Sequence, residues 1–352
     1  MCDEDQFSGS AGRDMIPVAE AVGTVLCHDI TEIRPGEFKG RAFKKGHIIC
    51  EVDVRRLQRL GKEHLFALHV GPDEFHEDDA ARLLAGAIMG KGVCIKGEPK
   101  EGKISIIAEQ DGLLKIHIDA LMAFNMLGEV MCATLLNNMV VKKGQTVAGT
   151  RAIPLVVKRS IVEQAVHIAK GGAGVVQVRE MRKPRAGVVI TGNEVYYGRI
   201  KDAFAPVISK KITEVGGEIV GISFAPDNRS FIADRLRELL NAGADLLITT
   251  GGMSVDPDDV TRFAVRDLGA HDISYGSAVL PGAMFLVAYL GETPILGIPA
   301  CGMYAKTTVF DLVLPRVLAG EKIGRRELAA LGHGGLCMKC DACRYPVCPF
   351  GK

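Results

Sequence analysis

The second half of the chain alternates short apolar runs with amphipathic helical segments, and this alternation limits the possible fold more than any other feature. Beyond Pro184, Ala186–Ile190 predicts a strand, and Val207–Val215 predicts a helix that ends at Gly216-Gly217. The segments that follow are strands at Glu218–Phe224, Asp245–Thr249, around Ile273, Met284–Tyr289 and Pro294–Ile298, and helices at Phe231–Leu240, Asp259–Leu268 and Tyr304–Leu318. This order predicts an α/β domain, with a mainly parallel sheet and helices on both faces.

The rest of the chain shows other patterns. Residues 1–150 predict a β-rich α+β module with short alternating strands, and residues 151–184 form a bridging segment. The α/β domain is expected over residues 185–322. Residues 323–352 form a cysteine-rich C-terminal tail. We therefore expect two domains, as the length of 352 residues also favours.

Composition argues against several classes of protein. Lys and Arg number 43 against 42 Asp and Glu, so bulk charge does not favour nucleic acid. No apolar run approaches the roughly 18 residues that a membrane span needs. The polar N-terminal stretch lacks the pattern of a signal peptide. We therefore expect a cytoplasmic protein, with neither nucleic acid nor a membrane as partner.

Three glycine-bearing loops follow strands of the predicted sheet. They are Thr191–Glu194, Thr249–Ser254 and Gly297–Gly302. Ligands of an open parallel sheet bind beyond the carboxyl ends of its strands, and glycine lets the backbone approach an anion closely. Each loop alone could be only a tight turn. Three converging loops favour a phosphate-bearing small molecule.

Carboxylates cluster at the same edge. Asp256, Asp258 and Asp259 follow the second loop, and Asp202 follows the first. Such a cluster beside a phosphate site is typical of Mg²⁺ binding, although Asp258 or Asp259 could instead cap the next helix. His76–Asp79 is a second acidic motif, but it lies where a helix should begin, and the helix dipole explains its charge.

These loops resemble the molybdopterin-binding domain shared by molybdopterin adenylyltransferases and molybdenum insertases, and they look most like the insertases. The matching motifs are Thr191-Gly192-Asn193-Glu194-Val195, Gly198-Arg199-Ile200-Lys201-Asp202, Thr250-Gly251-Gly252-Met253-Ser254-Val255 with Asp259 and Thr261, Pro281-Gly282, and Gly297-Ile298-Pro299. The resemblance covers about residues 185–320, and the rest of the chain loosely. It implies molybdopterin or its adenylylated form as ligand, molybdate as co-substrate, and a homo-oligomer.

The resemblance also implies roles for single residues. The residues expected to bind the cofactor are Thr191, Gly192, Asn193, Glu194, Thr250, Gly251, Gly252, Met253, Ser254, Pro281 and Gly282. Asp202, Asp256 and Asp259 would be catalytic, because they would hold Mg²⁺ and position the adenylyl phosphate or molybdate. The implied reaction is cleavage of adenylylated molybdopterin, with insertion of molybdate and release of AMP.

The chain departs from the insertase pattern in ways that leave other functions open. Asn193 replaces a carboxylate, and Leu280–Met284 lacks the two lysines of the corresponding insertase loop. These departures favour a non-catalytic carrier or sensor of molybdopterin or of the finished cofactor. A third alternative is a metal–sulfur protein whose α/β domain binds another nucleotide, as in the competence/damage-inducible proteins that share the domain.

Four of the ten cysteines lie close together near the C-terminal end. Cys337, Cys340, Cys343 and Cys348 are spaced as C-x2-C-x2-C-x4-C-P. This set suits a zinc site or an iron–sulfur cluster, although bacterial ferredoxin runs have three residues in the last interval. The alternatives are an unstructured tail and redox-active thiols. The tail could also contact a molybdoenzyme partner.

Overall fold

The computed structural model of the chain describes residues 13–34, 37–68, 70–253 and 259–351. Two compact units are present, the first made of Met1–Glu109, Ile116–Leu135 and Lys143–Gln177, and the second of Gln110–Lys115, Leu136–Lys142 and Val178–Lys352. The boundaries expected at residues 150, 184 and 322 stay predictions. No helix within the described ranges is long and apolar enough to cross a bilayer.

Both units combine helices and strands. The strands are β1 (Arg13–Pro17), β2 (Ile30–Arg34), β3 (Phe38–Phe43), β4 (His64–Leu68), β5 (Glu74–His76), β6 (Val93–Lys100), β7 (Lys103–Ala108), β8 (Gly112–Ile116), β9 (Val130–Thr134), β10 (Val140–Val141), β11 (Thr146–Ala152), β12 (Val156–Lys158), β13 (Val176–Arg179), β14 (Arg185–Thr191), β15 (Glu218–Ala225), β16 (Leu246–Thr250), β17 (His271–Tyr275), β18 (Leu286–Leu290) and β19 (Thr293–Ile298). The helices are α1 (Glu51–Arg59), α2 (Glu77–Ile88), α3 (Ile118–Asn125), α4 (Arg159–Lys170), α5 (Asn193–Tyr196), α6 (Phe204–Glu214), α7 (Arg229–Asn241), α8 (Thr261–Asp267), α9 (Val309–Leu318) and α10 (Arg325–Ala330), and 3₁₀ turns lie at Val18–Glu20 and Ala300–Met303.

The first unit is rich in antiparallel strands. Its largest sheet has the order β6-β7-β11-β9, and smaller pairs are formed by β1 with β4, β2 with β3, and β5 with β12. Helix α2 packs on the larger sheet, where Ala81 and Ala85 are buried against Ile104. A three-stranded sheet has the order β10-β8-β13, and its residues 112–115, 140–141 and 178–179 belong to the second unit. The predicted β-rich α+β character of the N-terminal half is confirmed.

The second unit is built on a six-stranded sheet with the order β15-β14-β16-β19-β18-β17. The first four of these strands are parallel, β18 runs antiparallel to β19, and the edge strand β17 runs antiparallel to β18. The predicted mainly parallel sheet is therefore confirmed. Because β14, β16 and β19 are adjacent and parallel, the loops that follow them leave the same edge of the sheet.

Both faces of this sheet are covered by helices, which explains why its strands are almost continuously apolar. Val188 and Ile248 pack into a core with residues of α6 and α9. Their neighbours Val189 and Leu247 point to the opposite face, where they pack with α7 and α8. Successive side chains of a strand point to opposite faces of the sheet, so each of these strands contributes residues to both cores.

The helix before the C-terminal tail starts later than its apolar pattern predicts. It begins at Val309 rather than at Tyr304, and a 3₁₀ turn at Ala300–Met303 precedes it. The reason is a capping box. The Thr308 N–H donates to the Asp311 carboxylate over 2.7 Å, and the Thr308 hydroxyl accepts from the Phe310 N–H over 3.2 Å.

Candidate functional site

A cavity of about 660 Å³ lies beyond the carboxyl ends of β14, β16 and β19. Each of the three predicted loops lines it: Thr191 and Glu194 after β14, Gly251–Met253 after β16, and Pro299–Cys301 after β19. Most of the other lining side chains are apolar. A largely apolar cavity with a few polar groups is the usual form of a small-molecule site.

The structure places the residues predicted to bind a cofactor in three groups. Thr191, Glu194, Gly251, Gly252, Met253, Pro281 and Gly282 line the cavity. Gly192, Asn193 and Thr250 lie on the same loops but are not among the lining residues of the described cavity. Ser254, like Asp256, lies outside the described residues. Ligand binding by any of them stays a prediction.

Buried threonines tie the first two loops together. The Thr191 hydroxyl donates to the Thr250 carbonyl over 2.8 Å and lies 3.1 Å from the Thr261 hydroxyl. Gly251 and Gly252 have φ angles of +77° and +54°, which favour glycine. A Cβ at Gly251 would overlap the Thr191 carbonyl oxygen, and one at Gly252 would lie 2.5 Å from the Thr261 hydroxyl oxygen. The glycine pair is therefore required by the loop itself.

Two of the three predicted catalytic carboxylates lie at the cavity. Asp202 accepts N–H groups of Phe204 and Ala205, each over 2.9 Å, and so caps α6, which explains why this helix starts before Val207. Asp259 lines the cavity shortly before α8. Capping leaves acceptor sites on the Asp202 carboxylate, because each ionised oxygen has two lone pairs.

No group of three or more His, Cys, Asp or Glu side chains is arranged to hold a metal ion within the described ranges. Mg²⁺ commonly keeps several water ligands and is bound by one or two carboxylates together with substrate phosphates. Asp202 and Asp259 both line the cavity, and Mg²⁺ binding by them stays a prediction.

Asn193 pairs with a neighbouring loop. Its N–H donates to the Asp227 carboxylate over 3.0 Å, and its side-chain oxygen accepts the Asp227 N–H over 3.3 Å. An asparagine at this position keeps the side-chain oxygen that accepts the Asp227 N–H, and it avoids a second negative charge beside Asp227. The amide at this position therefore has a structural reason.

Two cations at the cavity were not predicted as site residues. Lys201 and Lys339 both line it. Lys201 lies in the motif Gly198–Asp202, whose resemblance to the family implies a role only for Asp202. Lys339 lies in the C-terminal tail, where no sequence signal connects it to the loops. Together they bring positive charge to a cavity whose Leu280–Met284 wall lacks lysine.

Cys301 also lines the cavity, and burial raises the pKa of its thiol.

The acidic motif of the first unit is the start of a helix. The His76 imidazole accepts the Asp78 N–H over 3.1 Å and so caps α2. Lys45 donates to the Asp78 carboxylate over 2.8 Å, and burial raises the pKa of Glu77. These contacts agree with the interpretation of the motif as the start of a helix.

The four cysteines of the C-terminal tail line a second cavity, of about 570 Å³.

Residues 187–319 match the family model described as "Probable molybdopterin binding domain", and residues 15–69 match a domain of unknown function. A CinA-like protein of Mycobacterium avium is 40% identical over 89 residues, which are 24% of this chain and 20% of that protein. A CinA-like protein of Mycobacterium tuberculosis is 38% identical over 93 residues, which are 25% and 22% of the two chains. The matched region thus spans about a fifth of the length of these relatives.

Solved structures show weaker similarity. The molybdopterin biosynthesis enzyme MoaB of Thermus thermophilus aligns with a TM-score of 0.35 and 24% identity, over 39% of this chain and 98% of that one. The molybdopterin biosynthesis protein MoeA of Pyrococcus horikoshii aligns with a TM-score of 0.32 and 15% identity, over 90% of this chain and 75% of that one. At these TM-scores the similarity supports no conclusion about activity.

Proposed function

Residues 187–319 belong to the molybdopterin-binding domain family, and from this premise we propose that the cavity beyond β14, β16 and β19 binds molybdopterin. The observation that supports the proposal best is the meeting of three strand-end loops in one cavity of about 660 Å³. The cavity lies at the edge of a parallel sheet where small ligands usually bind. Its size is within the usual range for a small-molecule site.

The lining residues supply the two kinds of contact that a phosphorylated pterin needs. Lys201 and Lys339 would attract the phosphate, and the glycine pair after β16 would let the ligand approach the backbone. Apolar side chains of Ile200, Met284 and Met303 would cover the ring system. The proposal therefore assigns the charged end of the ligand to the lysines.

We further propose that the protein acts as a molybdenum insertase. Asp202 and Asp259 would hold Mg²⁺ together with the phosphates of adenylylated molybdopterin. The metal ion would supply charge stabilisation at the phosphoanhydride while that bond is cleaved. Water would add to the phosphoanhydride so that AMP leaves, and molybdate would bind the two dithiolene sulfurs while one of its oxygens leaves as water with the two thiol protons. The proposal keeps the cytoplasmic location expected from the sequence.

The activity is tested by mixing the purified protein with adenylylated molybdopterin, Mg²⁺ and molybdate, and by following AMP release and bound pterin. We expect tight pterin binding and AMP release that depends on molybdate. Binding without AMP release would contradict the insertase activity and support a carrier or sensor. Absence of both would contradict molybdopterin binding.

A matched pair of lysine variants locates the binding. Lys201→Ala removes a cation that lines the cavity, whereas Lys210→Ala removes one from the exposed surface of α6, where Lys210 lies 3.9 Å from Glu214. We expect Lys201→Ala to weaken pterin binding roughly tenfold, as the loss of a charged hydrogen bond of about 1.5 kcal/mol would do. Lys210→Ala should bind as the wild type does. Equal affinities of all three proteins would exclude Lys201 from the site.

A further inference from the structure

The C-terminal cysteines surround a space of their own. Cys337, Cys340, Cys343 and Cys348 all line the cavity of about 570 Å³. Four cysteines from one stretch of twelve residues therefore border a common volume. The apolar and loop residues that complete the cavity come from the same unit.

The tail that carries these thiols is fixed to the α/β unit. The Cys337 N–H donates to the Leu280 carbonyl over 2.8 Å, and the Leu280 N–H donates to the Gly335 carbonyl over 2.8 Å. At the other end, Phe350 is 3% exposed within the core on the α6 and α9 face. The Tyr345 hydroxyl also donates to the Asp311 carbonyl over 3.2 Å. The cysteines thus lie in a loop held at both ends, which argues against an unstructured tail.

The surroundings of the thiols suit a negatively charged guest. Lys306, Lys339 and Arg344 line the same cavity, and among its described lining residues Asp341 supplies the one carboxylate. In addition, the Thr307 hydroxyl lies 3.4 Å from the Cys343 sulfur. Hydroxyl contacts and nearby cations stabilise metal-bound thiolates, whose charge must otherwise be buried unpaired.

The size of this space favours a cluster over a single ion. Zinc needs four ligand atoms that converge on one point at about 2.3 Å. In a four-iron cluster each thiolate binds a different iron, so the cluster keeps the sulfurs apart and fills the space between them. Four cysteines that line one cavity of about 570 Å³ suit this larger guest.

We propose that Cys337, Cys340, Cys343 and Cys348 bind a [4Fe–4S] cluster in this cavity. The C-x2-C-x2-C-x4-C-P spacing differs by one residue from a known four-iron run, C-x2-C-x2-C-x3-C-P, whose fourth cysteine serves another cluster. Here all four cysteines line one cavity, so the proposal assigns them to one cluster. This proposal goes beyond molybdopterin binding and does not depend on it.

The cluster would lie beside the candidate pterin site. Pro281 and Lys339 line both cavities, so the two sites share a wall. Lys339 would contribute charge to each. The shared wall comes from the Leu280–Met284 loop and from the cysteine tail itself, both of which belong to the second unit.

The proposal is tested on the full chain, purified without oxygen and reconstituted with ferrous iron and sulfide. We expect about four irons and four acid-labile sulfides per chain, with the visible absorption and the reduced-state paramagnetic resonance spectrum of a four-iron cluster. One zinc per chain without sulfide would overturn the assignment. So would a protein that retains neither metal nor sulfide.

Cysteine variants identify the ligands. Cys340 and Cys343 are exposed, so Cys340→Ser and Cys343→Ser should keep the fold, which circular dichroism verifies. Both should lose most of the bound iron and sulfide. Cys94→Ser, on β6 in the first unit, is the matched control and should keep the wild-type content. Full iron content in the two tail variants, or equal loss in the control, would overturn the proposal.

Discussion

At the scale of single residues, the glycine pair after β16 meets a conformational and a steric requirement at once. Gly251→Ala would impose a left-handed backbone on alanine and also overlap the Thr191 carbonyl. Gly291 is the matched control, because its φ is +57° and a Cβ there would meet nothing within 4 Å. We expect Gly291→Ala to lower the free energy of unfolding by about 1 kcal/mol and Gly251→Ala by roughly 2–4 kcal/mol. Urea denaturation measures both, and equal losses would show that the Thr191 contact is unimportant.

Asn193 gives a second prediction at this scale. Asn193→Asp would place a carboxylate next to Asp227, and like charges raise each other's pKa. A carboxyl whose folded pKa is raised loses stability as pH rises. We therefore expect the variant to be roughly 1 kcal/mol less stable than the wild type at pH 7, and the difference to shrink towards pH 4. The double variant Asn193→Asp/Asp227→Asn should recover part of the loss at pH 7. A difference that does not change with pH would contradict the charge argument.

At the scale of elements, two variants of Asp202 at the start of α6 distinguish its helix-capping role from a role in metal binding. Asp202→Asn keeps a side-chain acceptor for the helix N–H groups but lacks the charge that a Mg²⁺ ligand needs. Asp202→Ala lacks both. We expect the alanine variant alone to lose about 1 kcal/mol of stability, and both variants to lose Mg²⁺-dependent AMP release. Thermal denaturation and the AMP assay give the two readings. Wild-type AMP release by Asp202→Asn would remove this carboxylate from the proposed mechanism.

At the scale of the whole molecule, residues 110–115 of the N-terminal half belong to the second unit. Lys115 lies 2.6 Å from Glu321, which also accepts from Arg316 over 2.9 Å. Burial alone would raise the pKa of Glu321, but the ion pair with Lys115 and the hydrogen bond from Arg316 outweigh it and hold the pKa below its usual value. The stability from this carboxylate is present above the ordinary Glu range and is lost as pH falls through the folded pKa.

Lys115→Met removes one partner of the Glu321 carboxylate. We expect it to lower the free energy of unfolding by roughly 1–3 kcal/mol near pH 7, and the deficit to shrink on acidification. Lys142→Met is the matched control, because the Lys142–Asp111 pair lies at the exposed surface. It should change stability by less than about 0.5 kcal/mol. Denaturation curves at several pH values check both, and equal effects of the two variants would contradict the role assigned to Lys115.

The sheet, and the edge of it where a ligand would bind, can be predicted from local sequence patterns, whereas the complete lining of the cavity cannot. Residues such as Val188 and Val189 encode strands through their own apolar character, and the glycine-bearing loops show where those strands end. Lys339 reaches the cavity only because the tail docks on the Leu280 backbone. The capping role of Asp202 depends on the path of the loop before α6. Contacts of this kind arise from tertiary packing, which periodicity does not encode.

The central claim is that the cavity beyond β14, β16 and β19 binds molybdopterin through its loops and two lysines. Equilibrium binding of molybdopterin under anaerobic conditions, to the wild type, to Lys201→Ala/Lys339→Ala and to Lys210→Ala, tests this most directly. We predict that the wild type and Lys210→Ala bind with equal affinity, and that the double variant binds at least about tenfold more weakly. Wild-type affinity in the double variant, or no binding by any of the three proteins, would contradict the claim.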